Sequence, residues 1–192
     1  MHILLGALMG YLLGSFPTGY VLVKLLKGED LRKRGSGHIG GLNVTRQAGL
    51  PAGAFTALVD AGKAYAAVAL AGFWLGDPWA QAAAGIAAVS GHNWSIFLGF
   101  SGGVGVAALA GASLAYTPAL ALLLILVLAA VWLGAIFFFH AHRARATIGI
   151  MLAAILLVWP LGLDMPGIVL VSGCCLPVII RSAQDWNRVY DT

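Results

Sequence analysis

The sequence predicts an all-α, polytopic integral membrane protein of about seven transmembrane helices, with its N-terminus outside and its C-terminus cytoplasmic. Three observations carry that reading. The chain of 192 residues is 60% hydrophobic and only 9% charged, with a mean hydropathy of +0.92, whereas soluble domains carry about a quarter charged residues. Apolar stretches long enough to cross a bilayer as helices recur along the chain. The lysines and arginines of the connections fall in segments on one face, as the positive-inside rule requires of cytoplasmic loops. The net charge of +4 would suit nucleic acid, but these cations adjoin apolar segments, where they anchor beside anionic headgroups. A membrane lipid environment is therefore expected, and no nucleic-acid partner. Residues 1–192 are read as a single transmembrane helical domain. No internal repeat is evident, which argues against an inverted-repeat transporter.

The first span is expected from His2 to Leu26. It lacks a basic n-region and its apolar run passes about 20 residues, so it reads as a spanning helix rather than a signal peptide. Ser15-Phe16-Pro17-Thr18-Gly19 interrupts it, and the proline should kink the helix or free a carbonyl. Lys24, Lys27, Arg32, Lys33 and Arg34 place the following connection on the cytoplasmic side. The second span runs from Ala52 to Leu75 and ends at Gly76-Asp77-Pro78. It carries Asp60 and Lys63, three apart on one helix face, a pair expected to support a polar site from behind.

The third span covers Trp79 to Ser90, and Gly91-His92-Asn93-Trp94 leads through a short amphipathic connection to Ser101-Gly102-Gly103-Val104-Gly105. The fourth, ending at Tyr116, is short for a bilayer, so its glycine turn starts inside the membrane or the helix abuts a cavity. The fifth runs from Ala119 to Phe139, and His140, His142, Arg143 and Arg145 form the next basic connection. Two histidines without a nearby carboxylate or cysteine are too few for a metal site, and none is expected. The sixth span, Thr147 to Leu161, turns at Gly162-Leu163-Asp164; the seventh, Pro166 to Ile180, precedes a polar tail from Arg181. Cys174 and Cys175, adjacent in an apolar run, read as packed thiols.

One polar stretch stands out, Gly35-Ser36-Gly37-His38-Ile39-Gly40-Gly41-Leu42-Asn43-Val44-Thr45-Arg46. Its glycines disfavour helix and permit φ > 0, and successive backbone N–H groups in such a turn form an anion-binding concavity. Ser36, His38, Asn43 and Arg46 add a hydroxyl, an imidazole, an amide and a fixed cation, parts suited to holding a phosphate and handling a proton. The plain alternative is a flexible cytoplasmic loop between two helices.

Gly14-Ser15-Phe16-Pro17-Thr18-Gly19, Asp30-Leu31-Arg32 and the Gly35–Arg46 run resemble the first motif of the bacterial PlsY-type glycerol-3-phosphate acyltransferases, membrane enzymes that use acyl phosphate. Asp60 and Lys63 match an Asp-x-x-Lys of that family, and Gly91-His92 through Gly99-Phe100, Gly102-Gly103 and Gly105-Val106-Ala107 match its second motif. The departures are specific. His38 stands where the family has Asn, and Ser101 and Val104 stand where it has lysines. The tail has Ser182, Gln184 and Asp185 where the third motif has a His two places before Glu-Asn, with Arg181, Asn187 and Arg188 retained.

The resemblance implies acyl transfer from acyl phosphate to glycerol 3-phosphate or another small phosphorylated polyol, at the cytoplasmic face of the cell inner membrane, without a cofactor. It implies Ser36 and Arg46 as essential residues, with Arg46 gripping phosphate and Ser36 orienting the reacting oxygen. His38 is a candidate base, and His92 is a second, more readily read as a structural interfacial histidine. Gly37, Asn43, Thr45, His92, Gly102, Gly103, Gly105, Arg181 and Asn187 are the implied substrate-binding set. The alternative implied by the departures is a catalytically silent relative that acts as a membrane partner or lipid-binding scaffold.

Overall fold

The computed structural model describes residues 1–188. Among them every regular element is helical, apart from one isolated bridge between Ser95 and Ser101. The first expected span is broken into α1 (His2–Ser15) and α2 (Thr18–Lys27) at Phe16-Pro17. Proline cannot supply the N–H that would continue the helix, and the carbonyls left behind are satisfied from elsewhere. Lys63 Nζ donates to Phe16 O at 2.7 Å, and Ser95 Oγ donates to Ser15 O at 2.5 Å.

The polar run then divides. Residues 34–40 form turns, but Gly41–Ala48 is an amphipathic helix, α3, which places Asn43, Thr45 and Arg46 on helix rather than loop. Glycines 40 and 41 open this helix and do not interrupt it, so their propensity cost falls at its N-terminus. Gly49, with φ +87°, reverses the chain into α4 (Leu50–Leu75).

The remaining helices are α5 (Pro78–Asn93), α6 (Val106–Tyr116), α7 (Pro118–Phe137), α8 (Arg143–Val158) and α9 (Met165–Ala183). Asp77 and Asp164 cap α5 and α9, accepting from Trp79 N at 2.9 Å and Gly167 N at 3.1 Å. Helices α4, α5 and α9 run past the limits expected from hydrophobicity, and α8 starts before the expected Thr147 but gives way at Val158 to a 3-10 turn, Trp159–Leu161. The backbone goes on bonding to itself where side chains already reach polar surroundings.

Among the described residues, five helical segments are long and apolar enough to cross a membrane: His2–Lys27, Leu50–Leu75, Pro118–Phe137, Arg143–Leu161 and Met165–Ala183. Two of the expected spans fall short of that length, α5 with 16 residues and α6 with 11. At about 1.5 Å per residue, α6 covers only about half of a hydrocarbon core. The irregular segment before it is accordingly buried in protein, at Ser95, Gly102, Gly103 and Gly105, where its backbone groups find partners.

Helix α1 meets α5 through a stripe of small residues. Gly6, Gly10 and Gly14 lie against the backbones of Ala80, Ala84 and Ala88, so closely that a Cβ on any of the three would collide with a carbonyl. This four-residue spacing lets the two backbones approach and gain dispersion contact, which substitutes for the hydrophobic effect absent in lipid. Gly111 of α6 sits in the same way on Ala61 of α4. The interior formed by α4, α5, α6, α8 and α9 includes Val68, Val89, Leu170 and both thiols, Cys174 and Cys175, which are free and buried as expected. Helix α7 is opposite in character: of its side chains only Ala121 is buried, and its apolar face of Leu122, Leu126 and Val131 is exposed, the pattern of a lipid-facing helix.

Candidate active site

The glycine-dense turn owes its shape to one amide. Asn43 Oδ1 accepts from Ser36 N at 3.3 Å, while Nδ2 donates to Arg34 O at 3.0 Å and to His38 O at 2.8 Å. Both amide hydrogens are thus committed, and Asn43 is buried. Asn43 is the brace that holds Ser36 and His38 in position, and it also lines the cavity described below. Gly35 (φ +52°) and Gly37 (φ +70°) supply the left-handed turns around it, and a Cβ at Gly35 would strike Asn43 Oδ1. Gly37 therefore shapes the turn, and it is not among the residues lining the cavity described below.

Upstream, Asp30 pairs with Arg32 at 2.7 Å, and the Arg32 hydrogen bonds hold the Asp30 carboxyl down at about 2. Arg32 also lies over the Tyr20 ring, 5.3 Å from its centre, and donates to Leu98 O at 3.5 Å. A second tie joins the two polar segments directly, Ile39 N to Gly102 O at 3.4 Å.

The second glycine segment is seated on the C-terminal end of α5. Gly103 N donates to His92 O at 3.0 Å. A Cβ at Gly102 would strike the carbonyls of His92 and Asn93, and one at Gly103 would strike the His92 ring. These two glycines therefore serve close packing, and of the three expected to approach a substrate only Gly105 lines the cavity. Gly105, with φ +94°, opens α6. His92 is buried beneath this segment and lines the cavity, with Nδ1 at 3.4 Å from Asp60 Oδ1. Asp60 also pairs with Lys63 at 2.9 Å. Asp60 is itself among the residues lining the cavity described below, so it is not simply behind the site as expected, while Lys63 holds the Pro17 break.

The cavity has a volume of about 580 Å³ and runs between α3, α4, α6, α7 and α8. Its polar mouth includes Ser36, His38, the N-terminal turn of α3 at Gly40–Leu42, Thr45 and Arg46. The rest of its lining is largely apolar, with Leu124, Leu128, Trp132, Ile150 and Met151, and includes Asp60, His92, Arg143 and Thr147. Arg46 is exposed at this mouth. Thr45 lines it too, but its hydroxyl donates to Gly41 O at 3.0 Å.

The tail supplies residues that sequence reasoning did not place in the site. Asp185 is 2% exposed and its Oδ2 accepts from His38 Nε2, while its Oδ1 pairs with Arg188 Nε at 3.1 Å. Arg188 Nη1 donates to Ser36 O and lies 3.4 Å from His38 Nε2. The tail is fixed from the other side by His142 Nε2, at 2.9 Å from Arg188 O, and by Arg145 over the Trp186 ring at 5.0 Å. Burial lowers the His38 pKa below its ordinary value of 6.5; Asp185 opposes that shift, and the charges of Arg181 and Arg188 add to it. Of the two expected tail ligands, Arg181 donates to Gln184 Oε1 at 2.7 Å and Asn187 is exposed, and neither lines the cavity. The signals for Asp185 in the sequence are its place in the stretch that resembles the third motif and its position near the retained arginines.

Fold and site together define a polytopic helical membrane protein with a polar, cation-bearing mouth on a largely apolar interior cavity. Comparison with known proteins narrows this. The family model for glycerol-3-phosphate acyltransferase matches residues 4–192. A glycerol-3-phosphate acyltransferase of Synechococcus is 44% identical over 189 residues, 97% of this chain and 89% of that protein. One of Rubrobacter xylanophilus is 52% identical over 111 residues, 58% of this chain and 55% of that protein, so the chain is matched along little more than half of that relative. The crystal structure of PlsY (YgiH), an integral membrane glycerol 3-phosphate acyltransferase, in its glycerol 3-phosphate form superposes with a TM-score of 0.82 at 35% identity, covering 97% of this chain and 90% of that one. Its lysophosphatidic acid form gives a TM-score of 0.80 at 32% identity with the same coverage. The chain belongs to the glycerol-3-phosphate acyltransferase family.

Proposed function

We propose that this protein is an acyltransferase of the cell inner membrane that moves an acyl group from acyl phosphate to glycerol 3-phosphate, forming lysophosphatidate for phospholipid biosynthesis. The observation that carries the reading is the cavity itself, about 580 Å³, with Ser36, His38 and Arg46 at its mouth and a largely apolar lining beyond it. A small phosphorylated polyol suits the mouth, and an acyl chain suits the interior. The relatives' names, and the two ligand forms of the solved relative, point to the same acceptor and product.

In this reading the primary hydroxyl of the acceptor attacks the carbonyl carbon of the acyl phosphate. The new C–O ester bond forms, the bond from carbonyl carbon to phosphate oxygen breaks, and inorganic phosphate leaves. The mixed anhydride is already activated, so no covalent enzyme intermediate is needed. The hydroxyl proton goes to His38. Arg46 grips phosphate through its planar fork, Ser36 orients the reacting oxygen, and the opening N–H groups of α3 favour negative charge. Holding the reactants together supplies much of the remaining acceleration.

The same reading makes the chain one domain with about seven spans, the N-terminus outside and the site facing the cytoplasm. The basic residues Arg32, Lys33, Arg34, Arg143 and Arg145 support that orientation, since the opposite turns carry Asp77 and Asp164 and no lysine or arginine.

Phosphate release from acyl phosphate by the purified protein, with and without glycerol 3-phosphate, tests the function. Release is expected to depend on the acceptor. It should fall by about 10- to 100-fold in Arg46→Ala, because a charged hydrogen bond contributes about 1.5–3 kcal/mol, and should also fall in Ser36→Ala. One observation favours the second reading, a silent membrane scaffold: Ser101 and Val104 leave the mouth without the two expected lysines. No acceptor-dependent release, with both substitutions neutral, would favour that scaffold.

A further inference from the structure

The family pattern that this chain departs from has Asn at the position of His38 and a His in the tail; here the imidazole is on the turn and the tail brings a carboxylate to it. We infer that Asp185 and His38 act as one proton-accepting unit, in which Asp185 is a positioning residue that fixes the His38 tautomer for acyl transfer. This rests on the acyl-transfer reading above.

Three observations carry it. First, Asp185 reaches His38 across 147 positions of sequence, and both are buried, at 2% and 7% exposure. A buried carboxylate is held there only with partners that satisfy it, and it has two, His38 and Arg188. Second, an ionised carboxylate only accepts hydrogen bonds and a guanidinium only donates them, so Asp185 and Arg188 ask opposite things of Nε2; the carboxylate contact is much the shorter, Arg188 Nη1 standing 3.4 Å away, and it assigns the imidazole proton to Nε2. That leaves the lone pair on Nδ1, and Nδ1 is buried with no hydrogen-bond partner among the described residues. An imidazole of this kind has one nitrogen anchored and, on the other, a buried lone pair that no group of the described residues occupies, so an acceptor hydroxyl meets it only if the apo packing around the ring adjusts when substrate binds. Third, the unit lies on the cavity that the proposed chemistry uses, since Ser36, His38 and Asp185 all line it. Asp60 and His92 form another carboxylate–imidazole contact, but at 3.4 Å, with the same carboxylate oxygen engaged by Lys63.

During transfer the acceptor hydroxyl gives its proton to His38 Nδ1 as the ester bond forms. The imidazolium is stabilised by Asp185 and returns the proton to the departing phosphate. The charged groups facing His38 are Asp185, Arg181 and Arg188. Removing the Asp185 charge leaves the two arginines unopposed, so protonation of His38 moves to lower pH.

The test compares wild type, Asp185→Asn, Asp185→Glu, His38→Ala and the His38→Ala/Asp185→Asn double variant in detergent or nanodiscs. Asp185→Asn is expected to lower kcat by about 10- to 100-fold, within the range that a general base contributes, with little change in KM for glycerol 3-phosphate. Its acid limb should move to lower pH, and Asp185→Glu should restore most of the rate. The double variant should be no slower than His38→Ala, because residues acting as a unit are not additive. A wild-type kcat and pH profile in Asp185→Asn would overturn the inference, as would additive losses in the double variant. Nitrogen-15 NMR of the imidazole decides the tautomer independently of turnover: Nε2–H in wild type supports the unit, and Nδ1–H overturns it. If wild type releases no phosphate at all, the acyl-transfer reading fails, while the tautomer measurement still decides the pairing. A merely structural Asp185 would lower thermal stability without moving the acid limb.

Discussion

At the scale of single residues, the site combines side chains that shape it with side chains that face the cavity. Asn43 is the shaping residue: three hydrogen bonds fix the turn that carries Ser36 and His38. Replacing it with Ala leaves the Ser36 N–H and the Arg34 and His38 carbonyls without these partners, and a lost bond of this kind costs about 1–3 kcal/mol. Asn43→Ala is therefore expected to lower the melting temperature in detergent as well as turnover, whereas Arg46→Ala, at the exposed mouth, should lower turnover with little change in melting temperature. A thermal scan beside the phosphate-release assay separates the two outcomes. His38 adds a pH dependence with a definite sign. Its folded pKa lies below 6.5 because burial disfavours the cation. The neutral form is the one that accepts a proton, so turnover should hold above that value and fall as the pH drops through the lower folded pKa. The contribution of His38 to stability has the same direction: it is present above 6.5 and lost as the pH falls.

At the scale of elements, the contact of α1 with α5 is the clearest case of geometry written as spacing. Gly6, Gly10 and Gly14 recur every fourth residue, and so do Ala80, Ala84 and Ala88 opposite them. Gly10→Leu would push a branched side chain against the Ala84 carbonyl, and overpacking of this kind costs about 1–3 kcal/mol. The expected result is a lower melting temperature in detergent, larger than for the lipid-facing Leu126→Ala on α7. Equal melting temperatures for the two variants would show that the glycine stripe does not set the fit. The proline break between α1 and α2 belongs to this scale as well. Its freed carbonyls are answered by Lys63 and Ser95, which ties the first helix to α4 and to the second glycine segment.

At the scale of the whole molecule, the fold gathers distant segments on one face. The turn at residues 34–40, the glycine segment before α6 and the tail after α9 meet around one cavity mouth. In the proposed orientation that face is cytoplasmic, and the turn at Leu161 lies outside. Cys174 and Cys175 are fully buried, so single exposed cysteines can be introduced over a low background. A membrane-impermeant maleimide should label Leu161→Cys in intact cells and Lys33→Cys only after permeabilisation; the reverse pattern would invert the topology.

The sequence by itself determined the class of the fold, because bilayer energetics act on each segment locally. A low charged fraction, apolar runs of spanning length and the one-sided lysines and arginines are all properties of short windows. It also marked Ser36, His38, Arg46 and the Asp60–Lys63 pair, since their residue types stand out in an apolar chain and the pair shares one helix face. Only the tertiary structure decided that α3 is a helix, that Asn43 and Gly103 serve the site's shape, and above all that Asp185 meets His38. The physical reason is distance along the chain: a contact across 147 residues follows from how α9 docks in the bundle, and no local pattern of spacing or hydrophobicity encodes it.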